Sequence, residues 1–262
     1  VDTVLFLNKT KRRFILLGGG SNTLFSGHAP ALNVIINRVA SIEKVDDQCI
    51  RVASGISNRD LLEWCRKEGI SGLEFLAGIP GTIGGAAAVN AGAFGHSISE
   101  VLLSAEIISG SEIRQTDAGD FDFSYRNSRF KYGSDVIVSL TLRVVPGECE
   151  QVGARISEIL KSRGQKHPNY RSKTAGCFFK NPIVKGEKIS AGKLIEASGL
   201  KGKSFKRISV SELHSNFIIN SQDAGFDDIQ AVERYIIDRI LNDSGIKLER
   251  EVIYIDPDGR KY

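Results

Sequence analysis

Several features are missing from this sequence of 262 residues, and each absence narrows the possible functions. No stretch approaches 18 consecutive apolar residues, so a membrane-spanning helix is not expected. The first residues, VDTVLFLNKTKRR, contain too short an apolar stretch for a secretory signal. We therefore expect a cytoplasmic protein that does not insert into membranes.

Cysteine is scarce and methionine is absent. Cys49, Cys65, Cys149 and Cys177 form no C-x-x-C pair, and no histidine stands at a metal-ligand spacing. A metal site and a disulfide framework are therefore not expected, and a reducing compartment fits. Because even an initiator methionine is lacking, we expect that an N-terminal segment precedes Val1 in the natural chain.

The overall charge is mild, with 35 Lys and Arg against 31 Asp and Glu, and gives no argument for nucleic acid. Between Leu160 and Gly186, however, acidic residues are missing altogether. The basic residues there are Lys161, Arg163, Lys166, Arg171, Lys173, Lys180 and Lys185. This local excess suits a phosphate-bearing ligand, and a solvated basic face is an equally good interpretation.

The apolar pattern predicts an α+β fold. Strands are predicted over residues 14–17, 33–37, 49–53, 101–108, 136–145, 217–220 and 251–255, and helices over 58–68, 151–163, 190–198 and 227–242. Asn58 and Ser190 are expected to cap two helices that Gly69 and Gly199 end. The character of the sequence changes near residue 148, which predicts domains over 1–148 and 149–262.

Two glycine-rich segments are candidates for a ligand site. The first is Gly18-Gly19-Gly20, followed by Ser21 and Asn22; consecutive glycines let backbone N–H groups converge on an anion. The second covers residues 78–95, GIPGTIGGAAAVNAGAFG, whose composition fits neither an ordinary helix nor a strand. An ordinary turn and tight packing of small residues are the alternatives. Together, two such segments indicate a cofactor that contains a diphosphate.

Three further side chains are candidates for catalytic roles. Arg126 stands among aromatics in FSYRNSRF, and its planar fork suits a carboxylate, although a structural arginine is the simpler interpretation. Cys177 follows a glycine and precedes two phenylalanines in a basic region, so it is a candidate acid or nucleophile. A buried, inert cysteine is the alternative. Glu251 opens the last strand, where pairing with Arg250 is the simpler interpretation.

The order and spacing of these motifs resemble the UDP-N-acetylenolpyruvoylglucosamine reductase family. LGGGSNTLF, GIPGTIGGAAAVNAGAFG, YRNSRF, AGCFFKNP, AGKLIEASGLKG, HSNFIIN and LEREV match that family's segments in order, across residues 14–256. The resemblance implies an FAD-binding portion of the vanillyl-alcohol-oxidase (PCMH) type, followed by a substrate-binding α+β domain. The short interval from Phe130 to Gly176 implies the shorter, second form of the family.

The resemblance also implies an activity and a set of residues. The activity is the NADPH-dependent, FAD-mediated reduction of UDP-N-acetylglucosamine enolpyruvate to UDP-N-acetylmuramate in peptidoglycan precursor synthesis. The implied catalytic residues are Arg126 and Glu251, which would hold and polarise the substrate carboxylate, and Cys177, which stands where the family usually has a proton-donating serine. The implied cofactor-binding residues are Gly18, Gly19, Gly20, Ser21, Asn22, Gly55, Gly78, Ile79, Pro80, Gly81, Gly84, Gly85, Asn90 and Gly92. The implied substrate-binding residues are Tyr125, Lys173, Lys180, Asn181 and His214.

Two other functions stay open at this stage. One is a different FAD-dependent oxidoreductase of the same superfold, acting on a hydroxy acid or an alcohol. The other is a nucleotide-binding protein without catalytic activity that uses the basic stretch. We expect a monomer whose partners are small molecules, with no nucleic acid among them.

Overall fold

A computed structural model describes residues 1–26, 32–169 and 171–262 of the chain. In these ranges the α-helices α1 to α7 are Asp2–Lys9, Asn58–Lys67, Ile83–Ala88, Ile98–Val101, Cys149–Lys166, Ala191–Ala197 and Phe226–Ser244. The strands β1 to β18 are Phe14–Leu17, Thr23–Phe25, Asn33–Ile36, Ile42–Lys44, Cys49–Ala53, Ile70–Ser71, Gly92–Ala93, His96–Ser97, Leu102–Ser109, Glu112–Asp117, Val136–Arg143, Val145–Pro146, Ile183–Val184, Glu187–Lys188, Ser204–Phe205, Ile208–Val210, Ile218–Asn220 and Ile253–Ile255.

The chain divides into two compact units. The first contains residues 1–20 and 32–162, and the second contains residues 163–262 together with a short segment that begins at Ser21. This division differs from the boundary expected near residue 148. The reason lies in α5, whose first half packs on the first unit: Val152 is buried, and Arg155 donates to Ser71 Oγ at 3.2 Å.

The first unit is built around a five-stranded antiparallel sheet with the strand order β10-β9-β11-β5-β4. Strand β10 lies in a stretch for which the sequence predicted only a polar connection. As an edge strand it buries only Thr116 among its six residues, so its apolar pattern is too weak to detect. The core of this unit includes Ile50, Leu61, Ile107 and Leu140.

Helix α2 begins one residue away from the predicted cap. Ser57 is the N-cap, and its hydroxyl accepts from the Asp60 N–H at 3.0 Å, so the prediction that Asn58 caps this helix is wrong. Asn58 is buried instead, and its side chain donates to Ile79 O at 3.1 Å. Gly69 follows the helix with a φ of 61°, as predicted for a glycine that ends it.

Helix α3 corrects the expectation that residues 78–95 contain no ordinary helix. Thr82 caps it, because its hydroxyl accepts from the Gly85 N–H at 3.3 Å. The helix ends in a Schellman motif, in which the N–H groups of Asn90 and Ala91 donate to Ala87 O and Ala86 O at 3.1 and 2.8 Å. Capping at both ends offsets the low helix propensity of its glycines.

The second unit contains the three-stranded antiparallel sheet β15-β16-β17 and the parallel pair β18-β2. Helix α6 is capped by Ser190, whose hydroxyl accepts from the Lys193 N–H, and Gly199 follows it with a φ of 71°, both as predicted. The long helix α7 buries Ile229, Val232, Ile236 and Ile240 in the core of this unit, as its apolar pattern predicted. No helix among the described residues is both long and apolar enough to cross a membrane.

The two central glycines of α3 differ in their surroundings, which predicts opposite effects of alanine. A Cβ atom at the buried Gly84 would lie 2.6 Å from Ser54 Cβ and 2.8 Å from Ser54 O, whereas one at the exposed Gly85 would meet only Thr82 Oγ1 at 3.4 Å. We expect Gly84→Ala to lower the free energy of unfolding by about 1–3 kcal/mol. Gly85→Ala is the matched control and should leave it unchanged or raise it by up to about 1 kcal/mol. Equal denaturant midpoints for the two variants would contradict this packing.

Candidate active site

The two glycine-rich segments pack directly against each other in the first unit. A Cβ atom at Gly18 would collide with the Thr82 hydroxyl, and one at Gly19 would lie 2.7 Å from Gly81 Cα. Real Cβ atoms do not approach other atoms this closely, so both positions require glycine for packing alone. The segments thereby form one continuous surface, which the sequence could not reveal.

Three more of the expected cofactor residues are also glycines for packing reasons. A Cβ atom at Gly55 would lie 2.5 Å from Asn37 Oδ1 and 2.6 Å from Val39 N, and one at Gly84 would meet Ser54. At Gly92 a Cβ atom would collide with His96 O. Tight packing of small residues, the alternative considered for the sequence, therefore explains much of the glycine content.

Other glycines of the two segments have a left-handed or otherwise unusual backbone conformation. Gly20 has a φ of 65° and is exposed, and a Cβ atom there would have nothing within 4 Å. The backbone N–H groups of Gly19 and Gly20 have no acceptor among the described residues. Gly78 and Gly81 have φ values of 72° and 121°, which other residues rarely adopt. Bare backbone of this kind fits the diphosphate of the expected cofactor, with exposed Pro80, half-buried Ile79 and exposed Gly85 beside it.

Arg126 occupies a tight hairpin turn in the first unit. Ser124 and Asn127 exchange two backbone hydrogen bonds of 3.1 Å, so Tyr125 and Arg126 are the two central residues of the turn. The φ of Arg126 is 57°, an unusual value for a residue with a long side chain. Its guanidinium lies 5.4 Å from the centre of the Tyr125 ring, as the aromatic neighbours in the sequence suggested.

Main-chain carbonyls fix the direction of the Arg126 side chain. Nη2 donates to Gly92 O at 2.6 Å, and Nη1 donates to Asn90 O at 3.4 Å. Asn90 is itself buried, and its side chain donates to Ser124 O and accepts from the Ser99 N–H. A planar group held in this way is suited to bind a carboxylate.

In the second unit, the chain segments that carry Cys177 and Glu251 run side by side. The Glu251 N–H donates to Phe178 O, and the Lys180 N–H donates to Glu249 O, both at 2.8 Å. The structure therefore brings together two motifs that are about 70 residues apart in the sequence. Arg250 pairs with Glu233 at 3.3 Å, and its guanidinium lies over the Tyr254 ring at 3.5 Å.

Ser21 and Asn22 belong to the second unit and not to the first. Asn22 O accepts from the Ile253 N–H at 3.0 Å, and Asn22 Nδ2 donates to Glu251 O at 3.4 Å. The Asn22 side chain, which was expected at the cofactor, therefore contacts the backbone of a candidate catalytic residue.

The expected substrate-binding residues of the second unit have protein partners. Lys173 pairs with Asp223, and Lys180 pairs with Glu249 at 3.3 Å. Both partners are well exposed to solvent, so these pairs are weak and could be exchanged for a phosphate. Asn181 Oδ1 accepts from the Ala191 N–H at 2.9 Å at the start of α6.

His214 lies in an aromatic cluster that the sequence did not predict. Its ring stacks on His167 with 5.1 Å between the ring centres, and both histidine rings contact Phe217. Phe217 forms an antiparallel bridge with Cys177. His214 Nδ1 accepts from the Asn216 N–H, which leaves the proton of the neutral ring on Nε2. The only sequence signal for His167 was its place at the end of a basic helix.

Asn216 is a further residue that sequence reasoning missed. It is buried, accepts from the Phe179 N–H at 2.9 Å and donates to Phe179 O at 2.8 Å. Its side chain thus replaces a strand partner for the segment that follows Cys177. All four cysteines are free thiols, and no cluster of three or more His, Cys, Asp or Glu in the described residues could hold a metal ion.

Comparisons with known proteins match two parts of the chain to family models. Residues 1–113 match the family model described as FAD binding domain, and residues 167–255 match the C-terminal domain of UDP-N-acetylenolpyruvoylglucosamine reductase. The chain is therefore a flavoprotein oxidoreductase, and the α+β fold with an FAD-binding first part is confirmed.

Relatives that match nearly all of this chain identify the family. The UDP-N-acetylenolpyruvoylglucosamine reductase of Chlamydia pneumoniae is 38% identical over 96% of this chain and 80% of its own length. That of Geotalea uraniireducens (strain Rf4) is 34% identical over 94% of this chain and 80% of its own length. The crystal structure of the enzyme (MurB) from Thermus caldophilus has a TM-score of 0.77 and 28% identity, covering 95% of this chain and 88% of that one. The chain belongs to the UDP-N-acetylenolpyruvoylglucosamine reductase family.

The stacked pair of His167 and His214 predicts that the folded protein loses stability at acidic pH. Burial, together with the nearby charges of His214 and Arg163, lowers the pKa of His167 from its ordinary value to about 4. In the unfolded chain the pKa returns to about 6.5, so the unfolded chain binds the extra proton between these values. The stability that neutral His167 contributes is therefore present above about pH 6.5 and is lost as the pH falls toward 4.

Replacing His167 should remove part of this pH dependence. We expect the free energy of unfolding of the natural protein to fall between about pH 7.5 and about pH 5, and to fall less in His167→Gln. Urea unfolding at both pH values measures the difference. An equal fall in both proteins would show that His167 is not the group that titrates.

Proposed function

We propose that this chain catalyses the NADPH-dependent reduction of UDP-N-acetylglucosamine enolpyruvate to UDP-N-acetylmuramate. Membership of the family supports the reaction, and one structural observation supports the residue roles: the Cys177 and Glu251 segments are hydrogen-bonded neighbours. When bound, FAD supplies the carrier that passes a hydride from NADPH to the vinyl ether of the substrate. A monomeric, cytoplasmic enzyme that acts on small molecules is part of this proposal.

Arg126 stabilises the negative charge that develops during the reduction. Hydride addition to the terminal carbon of the enolpyruvyl group leaves negative charge on the adjacent carbon, and this charge spreads into the carboxylate. A guanidinium has five N–H donors in a rigid fork, so it can contact both carboxylate oxygens. Because the carbonyls of Asn90 and Gly92 fix its direction, little reorganisation is needed when the charge forms.

Glu251 and Cys177 provide the protons that the proposed reaction needs. Glu251 must be protonated, or share a proton with the substrate carboxylate, since a bare carboxylate would repel the developing charge. Cys177 donates the proton that completes the new C–H bond, in place of the serine usual in the family. A thiol is intrinsically a stronger acid than a hydroxyl, with an ordinary pKa of about 8.5.

Residues of the glycine surface and of the basic region would hold the two ligands. The diphosphate of FAD would lie against the open backbone at Gly20, beside the segment that contains Gly81. The diphosphate of the nucleotide sugar would be met by Lys173, Lys180 and Asn181, with Tyr125 and His214 contributing further contacts. Exchange of the surface carboxylates Asp223 and Glu249 for phosphate oxygens would release these lysines to the substrate.

Two half-reactions test the function. We expect the purified protein to be yellow with FAD and to bleach when NADPH is added without oxygen. The enolpyruvyl nucleotide sugar should then restore the oxidised spectrum in a stopped-flow experiment. UDP-N-acetylglucosamine, which lacks the vinyl ether, is the control and should not restore it. A protein that takes up no FAD, or a reduced protein that the substrate does not reoxidise, would contradict the proposal.

Cysteine variants test the proton donor. Cys177→Ala should leave reduction by NADPH nearly intact and slow substrate-dependent reoxidation by roughly 100- to 10,000-fold, the usual contribution of a general acid. Cys177→Ser should retain activity, because serine also carries a proton. Cys149→Ala replaces an exposed thiol of the first unit and should leave both half-reactions unchanged. If Cys177→Ala keeps both rates, another group supplies the proton.

A further inference from the structure

The side chain and the carbonyl of Asn90 both contact the residues around Arg126. We propose that Asn90 is a positioning residue for Arg126, holding both the hairpin turn and the guanidinium in place. The inference rests on the proposed function, because it assigns the orientation of Arg126 to the step that reduces the substrate. It replaces the expectation that the Asn90 side chain serves the cofactor.

The turn that carries Arg126 needs support from its surroundings. Arg126 has a φ of 57° at the third position of a four-residue turn, where glycine or asparagine is usual. A non-glycine residue in this region costs about 1 kcal/mol or more and persists only when neighbouring contacts fix it. One such contact comes from Lys131, which is almost fully buried and donates to Arg126 O at 3.3 Å.

The second support is the Asn90 side chain. Its exposed fraction is 7%, and both ends of the amide are used: Nδ2 donates to Ser124 O at 3.0 Å, and Oδ1 accepts from the Ser99 N–H at 3.1 Å. Ser124 is the first residue of the Arg126 turn. The amide therefore connects the base of the turn to the start of helix α4.

The backbone of Asn90 contributes at the same time. Its carbonyl accepts from Arg126 Nη1, and that of Gly92 accepts from Nη2. The φ of Asn90 is 46°, and the residue occupies the left-handed position of the Schellman motif that ends α3. This conformation directs the chain so that the carbonyls of Asn90 and Gly92 both meet the guanidinium.

A helix cap alone would not require asparagine. Glycine is the residue most favoured at this position of the motif, so a pure capping role is satisfied at least as well by glycine. What glycine cannot supply is the pair of side-chain hydrogen bonds to Ser124 and Ser99. The two roles can therefore be separated by one substitution.

Asn90→Gly is that substitution, since it keeps the cap and the carbonyl and removes only the amide. We expect reoxidation of the reduced flavin by the enolpyruvyl nucleotide sugar to slow roughly 10- to 100-fold, because a displacement of about 1 Å at a reacting group has an effect of that size. Reduction by NADPH and the affinity for FAD should stay nearly unchanged. Ser71→Ala is the matched control: it removes a buried polar group of the same unit and should affect neither half-reaction selectively.

The Arg126→Lys background decides whether Asn90 acts through Arg126. If it does, adding Asn90→Gly to Arg126→Lys should cause little further loss, because the oriented guanidinium is already gone. Additive losses in the double variant would overturn the inference, and so would an Asn90→Gly protein that loses FAD affinity and both half-reactions alike. If the natural protein is not reoxidised by the substrate, the proposed function itself fails. A natural protein that works beside an unaffected Asn90→Gly variant refutes only the role of Asn90.

Discussion

The close approach of residues 18–19 to residues 81–82 is the contact on which the first unit depends. It is possible only because neither Gly18 nor Gly19 has a Cβ atom, since either one would overlap Thr82 or Gly81. The same approach brings the open backbone at Gly20 onto the surface that Gly81 and Gly85 share. Packing and ligand binding are therefore not competing explanations for these glycines. Some of them let the segments meet, and the others remain open where they have met.

In the second unit, pairing between distant segments plays the corresponding role. Residues 177–180 run beside residues 249–251, and the Asn216 side chain completes the hydrogen bonding of Phe179. Buried backbone groups must find partners, so the segment around Cys177 is held on both sides although it belongs to no regular sheet. Hydrogen bonds therefore fix the backbone that carries the candidate catalytic residues Cys177 and Glu251.

Much of the fold follows from local patterns. The strand over residues 49–53 and the helix around Ile229 to Ile240 have strong apolar periodicity, and the structure confirms both. Ser190 and Gly199 mark the ends of α6 because capping depends on immediate neighbours. Edge strand β10 was missed because burial of a single residue leaves no pattern to read.

The rest of the site depends on contacts between residues far apart in the chain. Ser57, and not Asn58, caps helix α2, because the Asn58 side chain donates to the distant Ile79 carbonyl instead. Helix α3 can pack against Ser54 because Gly84 has no Cβ atom, and composition alone does not reveal this contact. The motif around Arg126 was recognisable, but its unusual backbone conformation and its ties to Asn90 and Lys131 were not.

The parallel pair of β2 and β18 joins Thr23–Phe25 to Ile253–Ile255, and this has a consequence for how the molecule is made. During synthesis at the ribosome, β2 emerges long before β18 and cannot form this pair until β18 has followed. Domains generally fold as units while the chain grows, and contacts between distant positions form slowly because a long loop must close. Most of the first unit can therefore assemble while the chain is still growing. The pairing of β2 with β18 has to wait until residues 253–255 leave the ribosome, so β2 lacks this partner strand until then.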